Sequence, residues 1–326
     1  MSYTIDEKLY VSIGGEQQNI RIRTTDESLP VLLFIHGGPG VCDRHWVLKY
    51  QSDLAKVCTM VCWDQRGAGL SYSKKTPASS MTVARCVEDA HELLIYLKNR
   101  FKKSNIYIVG HSWGSLLGSL TAYKYPEDVA VYIGMGQFID GAENEELSYK
   151  FVLDEATKRN DKKALKDLAK IGWPVKGHYA SIDDLMVQRD YMTKYGGEDF
   201  GENEGIVKSV VMPILKSPEY SLFDLVKYYK GTFFNLNNLW NEVVDSNLFV
   251  QVPELKMPVY MTQGRHDQNC PISISKRWFD GLVAPKKEWI WFEKSAHSPI
   301  KNEPKEWGEA VKNIILTEEA ENCTAI

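Results

Sequence analysis

The sequence predicts an α/β fold: a mostly parallel central sheet flanked by helices, with a helical cap inserted into it. Three observations carry the prediction. Two short runs, residues 31–35 and 57–63, are almost wholly apolar, as central strands covered on both faces require. Strand-like and helix-like segments then alternate along the chain, the grammar of a parallel sheet with crossover helices. That alternation lapses near Phe138 and resumes near Met257, leaving a charge-rich stretch of helical period between them.

Taken in order, residues 9–13 and 20–24 alternate apolar and polar around Gly14-Gly15, the signature of a hairpin. The run at 31–35 ends at His36, and the run at 57–63 ends at Asp64. Apolar residues at 83, 86, 87, 90, 94 and 97 fall on one helical face. A strand at 106–109, a helix from Ser112 to about Tyr125 and a strand at 129–133 follow. Within the insertion, Tyr149, Val152, Leu153 and Ala156 make one helical stripe, and Leu165, Leu168 and Ala169 make a second. Strands at 257–262 and 288–292 bracket a helix at 273–281, and Trp307, Ala310, Val311 and Ile314 stripe the last helix. The expected domains are a core, residues 1–137 with 244–326, and a helical cap, residues 138–243.

Composition narrows the function. The 39 Lys plus Arg against 43 Asp plus Glu leave a net charge of −4, too little to draw the chain to a phosphate backbone or an anionic bilayer. No apolar run nears the roughly 18–20 residues of a membrane helix. The first residues lack the basic and apolar regions of a secretory signal, so the expectation is a cytoplasmic protein without nucleic-acid or membrane partners. The six cysteines form no Cys-x-x-Cys pair and no zinc pattern, so reduced thiols and no metal are expected. Cys323-Thr-Ala-Ile326 matches a prenylation box by its letters, but no polybasic segment precedes it, and a frayed tail is the expected reading.

The sharpest chemical signal is Gly110-His-Ser-Trp-Gly114, a Gly-x-Ser-x-Gly between a predicted strand and a predicted helix. A nucleophile presented there sits on a tight, strained turn that needs small neighbours. A serine hydroxyl needs a base, and the base an orienting acid. In this fold the chain order is Ser, acid, His, each after a strand. His297 follows the strand ending at Phe292 and is the expected base. Asp267, after the strand ending at Thr262, is the expected acid, with Glu293 and Asp280 as rivals. Acyl transfer also needs backbone donors for the developing oxyanion. The N–H of Trp113 and that of Gly38, in His36-Gly-Gly-Pro-Gly40, are the candidates. Asp64-Gln-Arg-Gly-Ala-Gly-Leu-Ser71 reads as a structural loop in which Asp64 and Arg66 tie down neighbouring backbone.

His36-Gly-Gly-Pro-Gly40, Trp63-Asp-Gln-Arg-Gly-Ala-Gly-Leu-Ser71, Gly110-His-Ser-Trp-Gly-Ser115 and Gly264-Arg-His-Asp267 together resemble the proline iminopeptidase-like branch of the α/β-hydrolases. The likeness spans the chain apart from the insertion. It implies a serine peptidase that needs no cofactor and removes an N-terminal residue, often proline, from short peptides. It carries the nucleophile onto Ser112, the acid onto Asp267, the base onto His297 and the oxyanion donors onto Gly38 and Trp113. It also implies that acidic side chains of the cap hold the substrate's free amine. Glu143, Glu146 and Glu242, with Trp240, are the candidates from an insertion that also carries Glu145, Asp183, Asp184, Glu198 and Asp199. The expected partner is a small molecule or short peptide, and the sequence leaves the oligomeric state open. An esterase or lactonase on a small apolar acyl compound is the alternative enzyme. A non-catalytic small-molecule binder on the same fold is the alternative from another class.

Overall fold

The computed structural model describes residues 2–201 and 211–324. Eight strands form one sheet: β1 (Ile5–Ile13), β2 (Glu16–Thr24), β3 (Val31–Ile35), β4 (Thr59–Asp64), β5 (Ile106–His111), β6 (Val129–Met135), β7 (Val259–Gly264) and β8 (Lys287–Phe292). Their spatial order is β1-β2-β4-β3-β5-β6-β7-β8. The β1–β2 hairpin is antiparallel and joins β4 antiparallel, whereas every pairing from β4 to β8 is parallel. The sheet is thus mostly parallel, as the sequence predicts. β1 begins four residues before the expected start because Asp6, Glu7 and Lys8 pair with Arg23, Ile22 and Arg21 of β2 at an edge where polar side chains reach water.

Alternate residues of the central strands feed two cores, as a period of two demands. Leu33, Ile35, Val61 and Ile108 pack on one face, against Ala90, Leu93, Leu94 and Leu97 of α2 (Val83–Phe101) and Leu116 and Leu117 of α3 (Trp113–Lys124). Leu32, Phe34, Met60 and Val109 pack on the other, with Val47 and Leu48 of α1 (Arg44–Tyr50) and Trp307, Val311 and Ile315 from the last helix, residues 304–324. Thr82 caps α2 by accepting from the Arg85 N–H.

After β6 the chain leaves the sheet. It forms α4 (Gly141–Lys158), α5 (Lys162–Ile171), α6 (Ile182–Lys194), the short α7 (Met212–Leu215) and the long α8 (Leu222–Val244) before returning through α9 (Leu248–Gln251). The exit and return are tied together: the Gly141 N–H donates to Ser246 O and the Leu248 N–H to Ile139 O. Tyr149, Val152, Ala156, Ala164, Leu168, Tyr191 and Met192 give α4, α5 and α6 a core of their own. α8 lies over the loop after β3, where the Thr232 hydroxyl donates to Gly40 O and the Tyr228 hydroxyl to Cys42 O. The β7–β8 crossover is α10 (Ile272–Gly281), and α11 (Pro299–Asn302) precedes α12 (Pro304–Thr324). Among the described residues no helix is long and apolar enough to cross a membrane, and no His, Cys, Asp and Glu group could hold a metal. Five cysteines are free and buried; the carboxy-terminal box leaves the described residues after Thr324.

Candidate active site

Ser112 stands between β5 and α3 with φ 55° and ψ −123°, a conformation that non-glycine residues rarely adopt. The turn closes because its flanks are glycine: a Cβ on Gly114 would collide with the Ile35 carbonyl. The Ser112 N–H donates to Met135 O at 3.0 Å, which anchors the turn to the end of β6.

The next residue, Gly136, carries the imidazole of His297 on its open face. A Cβ there would stand 2.8 Å from His297 Cε1 and Nδ1. His297 and Asp267 sit on the loops after β8 and β7, and both are buried. His297 Nδ1 is 3.0 Å from Asp267 Oδ2. The carboxylate is itself held by three further donors: the N–H groups of Asn269 and Cys270 reach Oδ1 at 3.0 and 2.8 Å, and Gln263 Nε2 reaches Oδ2 at 2.8 Å. An acceptor-only group ringed by donors keeps a proton on Nδ1, so that in the neutral ring the lone pair is on Nε2. His297 Nε2 is buried and has no hydrogen-bond partner. The expected Ser112–His297 bond is therefore open here, and such bonds commonly close only in the Michaelis complex. Glu293 pairs with Arg265 and Asp280 with Lys276 at the exposed surface, so neither rival acid orients His297.

Burial opposes charge on His297, but the Asp267 and Glu198 carboxylates and the hydrogen bond to Asp267 outweigh it and push its pKa up to about 9. His111, beside Ser112, is driven the other way. Burial, then the neighbouring His297, lowers it to about 3. Its Nε2 lies 3.3 Å from both His297 O and Ser298 Oγ, and its ring centroid 4.9 Å from that of His297.

Gly38 has φ 116°, which favours glycine, and its Cβ would meet the N atoms of Gly40 and Val41. Gly38 and Trp113 line the same cavity as Ser112 and His297. Gln65 locks the loops of Gly38 and Trp113 together: its Nε2 donates to His36 O at 2.9 Å, and its Oε1 accepts from Trp113 Nε1 at 2.8 Å. The rest of that segment is scaffold, as expected. Arg44 pairs with Asp64 at 2.6 Å and Arg66 with Asp89 at 2.6 Å, all four side chains buried.

The cavity holds about 420 Å³. Phe138, Leu185, Ile214, Leu236, Trp240 and Val243 are part of a largely apolar wall, and its polar groups include Asn144, Arg189, Glu198 and Asn269. Of the four cap contacts expected from the sequence, only Trp240 lines it. Glu143 is ion-paired with Arg277 at the surface, and Glu242 accepts from the Val83 N–H at the start of α2. Glu146 is half-buried on α4, away from the cavity wall.

Glu198 is the acid that the sequence did not single out. It follows Gly196-Gly197 in the turn after α6 and is half-buried in the cavity wall. Its Oε2 accepts from Asn269 Nδ2 at 2.6 Å, and its carbonyl accepts from the His297 N–H at 3.0 Å. Burial, reinforced by Asp199 and Asp267 and opposed by His297, raises its pKa. Arg189 reaches Glu145 at 2.6 Å and stands over the Trp240 ring.

Residues 30–170 match the α/β-hydrolase fold family. The chain is 33% identical over 295 residues to a probable aminopeptidase, YbaC, of Bacillus subtilis strain 168, covering 90% of this chain and 91% of that one. It is 24% identical over 303 residues to a proline iminopeptidase of Heyndrickxia coagulans, with 90% and 93% covered. The crystal structure of a proline iminopeptidase of Mycobacterium smegmatis superposes with a TM-score of 0.68 at 15% identity, over 97% of this chain and all of that one, a likeness of fold.

Proposed function

The chain belongs to the α/β-hydrolases and is a hydrolase, and from that premise we propose that it is a serine aminopeptidase that releases N-terminal residues, proline or another small or apolar residue, from short peptides. On this reading residues 1–137 and 244–326 are its catalytic core, and residues 138–243, of which 202–210 lie outside the described residues, are the cap over the substrate. The observation that carries this reading is the imidazole of His297: one nitrogen on Asp267, the other buried and unpartnered in the cavity that Ser112 shares.

The reaction follows from that arrangement. Nε2 of neutral His297 takes the proton of Ser112 as the hydroxyl attacks the scissile carbonyl, and Asp267 stabilises the imidazolium that forms. The N–H groups of Gly38 and Trp113 receive the negative oxygen. His297 then passes its proton to the leaving amine, and water takes the place of that amine to hydrolyse the acyl-enzyme. No step calls for a cofactor. Glu198 holds the substrate's ammonium, since among the described residues it is the carboxylate of the cap that reaches the cavity beside the base.

The test compares a prolyl arylamide, its N-acetylated form and a short-chain aryl ester. Turnover of the free-amine arylamide at least about tenfold faster than that of its N-acetylated form is expected, since an ammonium–carboxylate contact is worth more than 1.4 kcal/mol in a partly buried site. Equal rates would remove the amine anchor. The apolar wall keeps one second reading, an esterase of small apolar acyl compounds, and the ester alone being turned over would favour it.

A further inference from the structure

The turn of residues 196–199 is built into the machinery of the base. Gly197 O accepts from the Gln268 N–H at 3.1 Å, next to the acid, and Glu198 O accepts from the His297 N–H at 3.0 Å. Asp199, buried, pairs with Lys301 at 2.6 Å, four residues beyond the base. The turn is thus fastened to both the acid loop and the base loop. Its Glu198 carboxylate is held by Asn269, two residues from Asp267, and faces the cavity.

We infer that Glu198 makes the base responsive to substrate: a cationic amine seated on its carboxylate releases a proton from His297, so that substrates with a free amino terminus switch on their own base. The inference rests on the amine-anchor reading above. Two carboxylates, Asp267 and Glu198, favour the imidazolium, and a cation at Glu198 cancels one of them. Among the described residues, the other charged or titratable groups facing His297 do not substitute for that change. Arg189 on α6 already opposes the imidazolium but is engaged by Glu145; His111 is held neutral by burial; Asp43 lies behind His111, 3.9 Å from its Nδ1; and Lys301 is matched by Asp199. The proton balance is simple. Binding starts from the imidazolium with Glu198 ionised. Ammonium binding leaves an ammonium–carboxylate pair and neutral His297, and the proton passes to bulk water through the cavity mouth. With His297 pushed up to about 9 in the free enzyme, a substrate lacking an amine meets the protonated base at pH 7.

The test measures kcat against pH for Glu198→Gln and wild type, with an aryl butyrate that carries no amine and with a prolyl arylamide. The amide oxygen of the variant still accepts from Asn269, so the turn keeps its shape. In wild type the acid limb of kcat should lie at lower pH for the arylamide than for the butyrate, since kcat reports the enzyme–substrate complex. In Glu198→Gln the butyrate limb should move down by about one pH unit and butyrate turnover at pH 7 should rise by up to about tenfold. The arylamide should lose at least about tenfold in kcat/KM. A loss of arylamide preference with the butyrate limb unmoved overturns the coupling and leaves the anchor standing. An unchanged arylamide preference overturns the anchor itself. As a second readout, titration of prolinamide into Ser112→Ala at pH 8, in buffers of different ionisation enthalpy, should show net proton release; none would likewise overturn the coupling.

Discussion

Replacing Asp267 by Asn asks whether the carboxylate does more than fill space. Its Oδ1 accepts two backbone N–H groups, at 3.0 and 2.8 Å, so the amide oxygen of an Asn stays there. The amide nitrogen then takes the place of Oδ2, where Gln263 Nε2 and His297 Nδ1 now converge. Gln263 can turn its own amide and present oxygen, which keeps the loss of stability to about 1–3 kcal/mol. His297 has no such freedom. To accept from the Asn it must place its proton on Nε2, and a protonated Nε2 cannot take the proton of Ser112. Loss of the working tautomer costs about 10⁴ in kcat, and four decades at about 1.36 kcal/mol each come to about 5.4 kcal/mol of transition-state stabilisation. The assay is kcat on an aryl ester from pH 6 to 10, beside a thermal melt of the same preparation. With the carboxylate gone, the influence that holds His297 up is reduced, so any residual activity should have its acid limb at lower pH. A folded Asp267→Asn enzyme within tenfold of wild type would refute the reasoning.

Two further outcomes follow from buried groups away from the reacting atoms. Gln65→Leu strands Trp113 Nε1 and the His36 carbonyl, so it should destabilise by about 2–6 kcal/mol in urea and lower kcat with little change in KM; a change confined to KM would contradict the role given to Gln65. His45 is buried with neither nitrogen partnered, and burial, with the cations Lys301 and Arg44, lowers its pKa to about 3. A group depressed in the folded state favours folding above its unfolded value of about 6.5 and loses that advantage as pH falls towards 3. At pH 5 the loss is about 2 kcal/mol. His45→Phe should therefore lose about 2 kcal/mol less than wild type between pH 7 and 5, measured by urea unfolding; equal losses would contradict the assignment.

The strained turn at Ser112 was legible because its sterics leave few alternatives: three residues of Gly110–Gly114 are set by the turn, and strand and helix flank them. The meeting of Asp267 and His297 was legible from chain order, since each stands on a loop that follows a strand. Gln65 was not singled out, because its partners, His36 and Trp113, are brought together only by the parallel register of β3, β4 and β5. The cap resisted for a different reason. Its acids all look alike along the chain, and what separates Glu198 from Glu143 or Glu242 is which side of a helix or turn meets the core. Glu143 reaches Arg277 and Glu242 caps α2, contacts more than 100 residues away in sequence. The aromatics divided in the same way: Tyr228, Phe233 and Trp240 reach the cavity, Tyr191 packs within the helical segment, and Phe223 is exposed.

The most direct test is covalent. Folded wild-type protein treated with a fluorophosphonate and digested should yield one stoichiometric adduct, on the peptide containing Ser112, and His297→Ala should slow its formation by orders of magnitude. An adduct elsewhere, or none on folded protein, would show that the hydroxyl at the Gly110–Gly114 turn is not the nucleophile.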